Sequence, residues 1–538
     1  MRLINTRTLQ LEEFYGTAPD YAILSHTWEG DEVSFDEFTQ PQKGTHHGQR
    51  YAKITAACRQ ALSDEINYCW VDTCCIAKAS SAELTESINS MFNWYKQAKV
   101  CLAFLADFDL DVDIQAPLEV RIAKCRWFTR GWCLQELVAP KEVRFYDRNW
   151  RFIGTKKSLR RHISDITGVP QHVLEDPSHL QAIPVAKRMA WASKRETTRV
   201  EDIAYSLLGI FGINMPLLYG EGDNAFLRLQ EEITKKCNDM SIFAWESNTT
   251  GQNSRYLGTF APSPRLFDAC RHMPNTTLHR QITSRSQFAI SNRGIQFTAP
   301  DIFLLNDITN QEGADYVLPL CSLSGQATLH KCLMLRKVGP GLYVRSGPLK
   351  DLELSKLYRR WTLEKEIYLL AQVTTDLYPT FDSSHGSSFE FRAIDSQSGS
   401  FSIQRLEPRD AWDTPRSRFL TNGDPSFVAY LKVYPELVSG LGTEFFVITL
   451  GFCQGDQAKE MEPFVYLVHP DVWGLYDAPG RPLGSMVRSS MKHQDACEGA
   501  ESWDGTTIGL SRHKVSVAVQ TRVSRGLPVH RVTMTWVD

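Results

Sequence analysis

The chain has 538 residues, 42% hydrophobic and 22% charged, which supplies apolar material for several packed cores and excludes a disordered chain. Its formal net charge of −3, from 59 basic and 62 acidic side chains, excludes a protein that coats nucleic acid. No run approaches the roughly 20 apolar residues of a membrane span. The start, Met1 to Arg7, lacks the apolar stretch of a signal peptide, so a cytoplasmic protein is expected.

The first predicted strand is Tyr21-Ala22-Ile23-Leu24-Ser25, which breaks at His26-Thr27-Trp28-Glu29-Gly30-Asp31. Ile54, Cys58, Ala61 and Leu62 then recur at helical spacing. A second strand, Tyr68 to Asp72, is followed by an amphipathic helix through Leu84, Ile88, Met91, Phe92 and Tyr95, with Ser80 and Glu83 in capping-box spacing at its start. Val100 to Leu105 and Val143 to Tyr146 read as third and fourth strands. Strands alternating with helices imply right-handed crossovers and a parallel sheet covered on both faces. In such sheets ligands bind beyond the carboxyl ends of the strands, which singles out the loops after Ser25, Asp72 and Leu105.

Residues 1–150 are expected to form this α/β domain, and residues 151–245 a mainly helical extension. In the extension, Thr198-Arg199-Val200-Glu201 has capping-box spacing and Gly209 and Gly212 mark a helix end. A further helix should run from Asp223 through Phe226, Leu229 and Ile233. Beyond Asn248, runs such as Gly341 to Arg345, Glu390 to Ile394 and the alternating Val515 to Val523 predict an antiparallel, β-rich domain over residues 246–538.

The 13 cysteines read as reduced thiols, and no C-x-x-C pair offers zinc spacing, so no metal is expected. Asp107, Asp109, Asp111 and Asp113 invite a calcium loop, but Val112 and Leu118 stand where an EF-hand needs Gly and Glu. Gly220-Glu221-Gly222 reads as a turn, because Glu221 and Asp223 would repel phosphate. Lys187, Arg188, Lys194, Arg195 and Arg199 read as a solvated basic face, with the alternative that one arginine reaches an anionic ligand. Cys74, Cys75 and Cys133 read as core thiols.

Tyr21 to Trp28, Trp70-Val71-Asp72-Thr73-Cys74-Cys75-Ile76 with Glu83, Arg126 to Leu137, and Arg188 to Phe211 resemble, in order, the motifs of the fungal heterokaryon-incompatibility (HET) domain. The resemblance covers roughly residues 1–245. It departs at Ala77-Lys78, where many members carry Asn-Gln or Asp-Lys. It implies a TIR-like (flavodoxin-like) α/β fold and an effector of non-self recognition and cell death. Its partners would be a further copy of the chain or an incompatibility protein. Some TIR domains cleave NAD, with the catalytic glutamate in a Trp-Cys-x-x-Glu-Leu sequence, so the resemblance implies Glu136 for that role and NAD as substrate, with no cofactor.

The chemistry is consistent with one carboxylate. Nicotinamide leaves NAD from an already cationic ring, so its departure needs no general acid, and a carboxylate near the ribose stabilises the oxocarbenium-like transition state. For each candidate a plainer reading stands beside this one. Glu136 reads also as a solvated helix residue, or as a partner for Arg130 or Lys141. Ser25 and His26 read as phosphate or ribose contacts, or as a capped turn. Trp28 reads as a stacking platform, or, preferably, as a buried aromatic. Asp72, followed by Thr73, reads as a ribose ligand or as the cap of the next turn. The rival functions are a non-enzymatic adaptor and a ligand-binding C-terminal half. A cluster of Glu136, Ser25 and Asp72 favours the enzyme; a solvent-facing Glu136 favours the adaptor.

Overall fold

The computed structural model describes residues 1–30, 32–40, 49–247, 255–274, 287–298, 302–304, 316–322, 329–353, 359–361, 366–378, 381, 388–393, 399–437, 440–441, 445–454, 461–475, 482–487, 489–490, 507–509, 514–524 and 527–537. Asp31, Asn248 and Ile394, used above to bound sequence features, lie outside the described residues. The chain divides into two compact units. One comprises Met1–Asn248, Phe260–Ser284 and Leu320–Cys332; the other comprises Thr249–Thr259, Arg285–Pro319 and Leu333–Asp538.

The first unit is built on a seven-stranded sheet of β1 (Arg2–Asn5), β2 (Leu11–Glu13), β3 (Tyr21–His26), β4 (Tyr68–Trp70), β5 (Val100–Phe104), β6 (Val143–Tyr146) and β7 (Phe152–Thr155), in the order β2-β1-β4-β3-β5-β6-β7. The neighbours β4-β3-β5-β6 are parallel, and antiparallel strands close both sides. Every residue of β3 and β5 is buried. That is why both read as unbroken apolar runs: their two faces are covered. In chain order the parallel strands run 2-1-3-4, so the connections from β3 and β5 leave in opposite directions. The carboxyl ends of these two strands, where His26 pairs with Phe104, therefore form the switch point of the sheet.

The helices up to this point are α1 (Phe35–Thr39), α2 (Gln49–Ser63), α3 (Asp72–Cys75), α4 (Ser81–Gln97), α5 (Leu118–Ile122) and α6 (Cys133–Val138). As expected, α2 buries Ile54, Cys58 and Ala61, and α4 buries Ile88, Met91 and Tyr95. Ser80 caps α4 by accepting from the Glu83 amide. The reciprocal half of the predicted box does not form. Glu83 instead binds the Arg2 guanidinium at 2.5 and 3.2 Å and the Ala77 amide at 2.9 Å. The predicted second strand also stops early: it ends at Trp70, and Asp72 opens α3.

Residues 151–245 begin with β7, a strand where helix was expected, and continue as α7 (Arg160–Thr167), α8 (Gln171–Glu175), α9 (Val185–Ala190), α10 (Asp202–Tyr205), α11 (Leu208–Phe211) and α12 (Asn224–Lys236). α12 buries Phe226, Leu229 and Ile233 as predicted. The Thr198–Glu201 box does not form. The Glu201 carboxylate is taken by the amides of Gly220 and Gly222, at 2.7 and 3.2 Å, so the anion in that glycine turn is the chain's own. Gly212 ends α11 in the left-handed conformation, whereas Gly209 lies inside it. A Cβ on Gly209 would stand 2.2 Å from Cβ of Phe92 on α4, so this glycine is required for close helix packing.

The later part of the chain is β-rich, with sheets of 10, 6 and 5 strands among the described residues. Most of the pairing is antiparallel, as the alternation predicts. Parallel pairs also occur: Leu342–Ser346 with Glu366–Leu369, and Ser388–Ala393 with Leu527–Val537. Among the described residues no helix is long and apolar enough to cross a membrane.

Candidate active site

Ser25 sits in the last turn of the pleat of β3, fully buried. Its hydroxyl donates to the Glu136 carboxylate on α6 and accepts from Trp127 Nε1 at 2.8 Å. All six residues of α6 are buried, and Glu136 itself is 7% exposed. Two contacts fix this short helix. Ahead of it, the Gly131 amide donates to the Glu196 carbonyl at 2.8 Å, and a Cβ on Gly131 would meet the Thr197 methyl at 2.5 Å. Behind it, Lys156 Nζ donates to the carbonyls of Leu137, at 3.2 Å, and Pro140, satisfying the helix end with a cation. Burial lowers the Lys156 ammonium to about 8.

Burial pushes the Glu136 carboxyl up to about 7. The Ser25 hydrogen bond opposes that rise, the charge of Asp72 adds to it, and Cys133 and Arg130 oppose it. A carboxyl in this range changes protonation near neutral pH, as a group in proton transfer must.

Beside this pair lies a second one. His26 Nε2 is 3.2 Å from Asp72 Oδ1, and Trp28 Nε1 donates to Asp72 Oδ2 at 2.9 Å. Burial alone would raise the Asp72 carboxyl, but His26, the charge of Lys78 and the Trp28 donor together hold it well below the usual carboxylate range. Thr73 Oγ1 and His26 Nδ1 are buried and, among the described residues, have no hydrogen-bond partner.

The surface around Asp72 and Trp28 is cationic and aromatic. The Trp28 ring is 43% exposed, with Lys78 Nζ 3.7 Å and the Arg130 guanidinium 5.8 Å from its centroid. Arg126 reaches the Thr27 hydroxyl and the Trp28 carbonyl at 3.4 and 3.5 Å. An exposed indole among cations suits a planar base joined to an anionic group.

The geometry thus joins Ser25 to Glu136, and His26 and Trp28 to Asp72; Thr73 lies next to Asp72 on α3 without a bond to the others. Three sequence expectations are corrected. Trp28 is not a buried aromatic, because its indole edge is drawn to Asp72 at the surface. Glu136 is not a solvated helix residue: it is buried and accepts from Ser25, while Arg130 acts on it through its charge. The basic face is not wholly solvated: Arg188 and Arg195 are 4% and 2% exposed, satisfied in part by the carbonyls of Ile210 and Arg130. Two members of the acidic run, Asp109 and Asp111, bind Arg151 together with Asp147, and Asp107 accepts from the Arg126 amide at 2.8 Å. Cys74 and Cys133 are buried, and burial pushes both thiols well above their ordinary range. Sequence reasoning missed Trp127, Arg126 and Lys156. The first two lie in the Arg126–Leu137 segment that drew attention to Glu136, but an apolar ring and a lone arginine carry no spacing signal of their own.

Known proteins share parts of this chain. A family model described as heterokaryon incompatibility protein (HET) matches residues 21–117, and one described as a domain of unknown function (DUF8212) matches residues 224–318. A vegetative incompatibility protein of Podospora anserina, HET-E-1, is 47% identical over 226 residues, which are 41% of this chain and 16% of that protein. The matched part is therefore less than a fifth of that relative's length. No solved structure matches.

Proposed function

From a chain that carries a heterokaryon-incompatibility domain at residues 21–117, we propose a cytoplasmic effector of fungal non-self recognition and cell death that hydrolyses NAD at the nicotinamide–ribose bond. The similarity to a vegetative incompatibility protein supports the first half of this reading. The 2-1-3-4 strand order supports a TIR-like (flavodoxin-like) fold. The observation that carries the second half is the buried Glu136 carboxyl, held by Ser25 at the carboxyl end of β3.

In the proposed step the bond between ribose C1′ and the pyridinium nitrogen breaks, and its electron pair neutralises the ring as nicotinamide leaves. A water oxygen bonds to C1′, and its proton passes to the Glu136 carboxylate and then to solvent. Ionised Glu136 stabilises the cationic ribose on the way. Trp28 offers a face to a base, and Lys78, Arg126 and Arg130 offer charge to the pyrophosphate.

The test is nicotinamide release from NAD by the full chain, with Glu136→Ala beside it. Release that falls by roughly 10²–10³ in the variant supports the reading. Equal release from both proteins removes Glu136 from the chemistry. No release from the folded full chain moves the reading to an adaptor that works by binding a partner or a second copy.

A further inference from the structure

Residues 76–80 join α3 to α4 and carry Lys78. Glu83 holds this segment near both ends. Its Oε1 accepts from the Ala77 amide at 2.9 Å, and its own amide donates to the Ser80 hydroxyl oxygen at 3.4 Å. The Ser80 amide closes the segment on the Ala77 carbonyl at 3.0 Å. Glu83 is fixed in turn by Arg2 on β1, which donates to both carboxylate oxygens at 2.5 and 3.2 Å. Arg2 itself lies 4.7 Å from the Phe35 ring centroid and 3.7 Å from Glu13. Between the two tied ends stands Lys78, whose ammonium is 3.7 Å from the centroid of the Trp28 ring. That ring is fixed separately by its edge, which donates to Asp72 at 2.9 Å.

We infer that Glu83 is a positioning residue for the nucleotide site: its carboxylate fixes residues 77–80 and so places the Lys78 ammonium over Trp28, ready for the pyrophosphate of NAD. The inference rests on the proposed function, which gives Trp28 to a base and Lys78 to the pyrophosphate. A lysine stem is flexible, so an ammonium on a loose segment loses much freedom when it binds an anion, and one on a fixed segment loses less. Glu83 bonds to neither Trp28 nor Glu136 among the described contacts, so it acts through Lys78 and not on the reacting atoms. Its bond is to the main chain of Ala77, so the anchor does not depend on which side chain stands at 77. The cap of α4 uses the Glu83 amide, so replacing the side chain leaves the cap in place. Arg2 then keeps Glu13 and is 24% exposed, so no buried charge is stranded.

The experiment measures NAD binding by calorimetry in the full chain carrying Glu136→Gln, which keeps the ligand intact. Glu83→Ala should weaken binding by roughly fivefold, and Glu83→Gln, whose amide oxygen still accepts from Ala77, by much less. In a chain that already carries Lys78→Ala, Glu83→Ala should have no further effect. The same weakening with and without Lys78 overturns the inference, and so does unchanged binding in Glu83→Ala. Glu83→Asp keeps the charge but not the reach, and makes the same comparisons should the alanine variant not fold. A second readout needs no NAD: acetylation of Lys78 by an N-hydroxysuccinimide ester, followed by mass spectrometry against Lys99 in the same molecule. Glu83→Ala should speed modification of Lys78 severalfold and leave Lys99 unchanged; an unchanged Lys78 rate overturns the inference. If the chain binds no NAD, the proposed function fails, while the acetylation rate still decides whether Glu83 holds Lys78 in place.

Discussion

Ser25 and Glu136, 111 residues apart in the chain, meet in one buried hydrogen bond that joins the end of β3 to α6. Neither partner is on a free loop: Ser25 is fixed by pairing to β5, and Glu136 by a helix held at both ends. Trp127 donates to the same hydroxyl, so Ser25 accepts from the indole and gives its own proton to the carboxylate.

The first prediction follows from that bond. Donation by Ser25 lowers the proton affinity of Glu136, so Ser25→Ala should raise its pKa further above about 7. If ionised Glu136 is the working form, a rise of about one pH unit should make the loss of nicotinamide release roughly fivefold greater at pH 7 than at pH 9, because the ionised fraction falls from about a half to about a tenth at pH 7 and hardly changes at pH 9. A uniform loss across that range would assign Ser25 to substrate binding instead.

The second prediction concerns stability. The Glu136 carboxyl rises from its ordinary 4.5 to about 7 on folding, so the folded state binds the extra proton between those values. Its contribution is fully present below pH 4.5, is lost as pH rises to about 7, and stays lost above. Glu136→Gln has no such loss and should be the more stable protein at pH 8, by up to about 3 kcal/mol for a rise of that size. The advantage should vanish at pH 4.5. Melting curves of the two proteins at these pH values would decide, and an advantage independent of pH would show that the carboxyl is not raised.

Much of this was legible in the sequence where the cause is local. β3 and β5 announce themselves because strands covered on both faces are largely apolar, and Glu136 because its neighbours form a dense aromatic segment. What could not be read depends on partners distant in the chain. Both expected capping boxes lose their glutamate to remote groups, Glu83 to Arg2 and Glu201 to Gly220 and Gly222. Arg195 belongs to a run that looks solvated, and only the pairing of residues 129–131 with Glu196 buries it. Trp28 looks like core material until Asp72 is seen to hold its edge. β7 is four residues long and contains a glycine, too little for a pattern.

The third prediction separates binding from chemistry. Lys78 lies over the exposed Trp28 ring and Arg126 reaches Thr27, and none of the three bonds to Glu136 among the described contacts. Lys78→Ala and Arg126→Ala should raise KM for NAD severalfold with a smaller change in kcat, and added salt should reproduce part of the effect in the native protein. Loss of kcat at unchanged KM would place these cations against the reacting ribose.

The fourth prediction tests the packing that brings the later helices onto the α/β unit. Gly209→Ala has two opposing effects. Alanine favours helix by about 1 kcal/mol over glycine. The added methyl would stand 2.2 Å from the Phe92 Cβ, an atom close to the backbone of α4 that cannot rotate away. One of the two helices must therefore move, and overpacking of this kind costs about 1–3 kcal/mol. Because α11 is only four residues long, the gain in propensity is the smaller of the two, and the variant should melt several degrees below the native protein. A melting temperature at or above the native value would mean that α4 and α11 are not packed this closely.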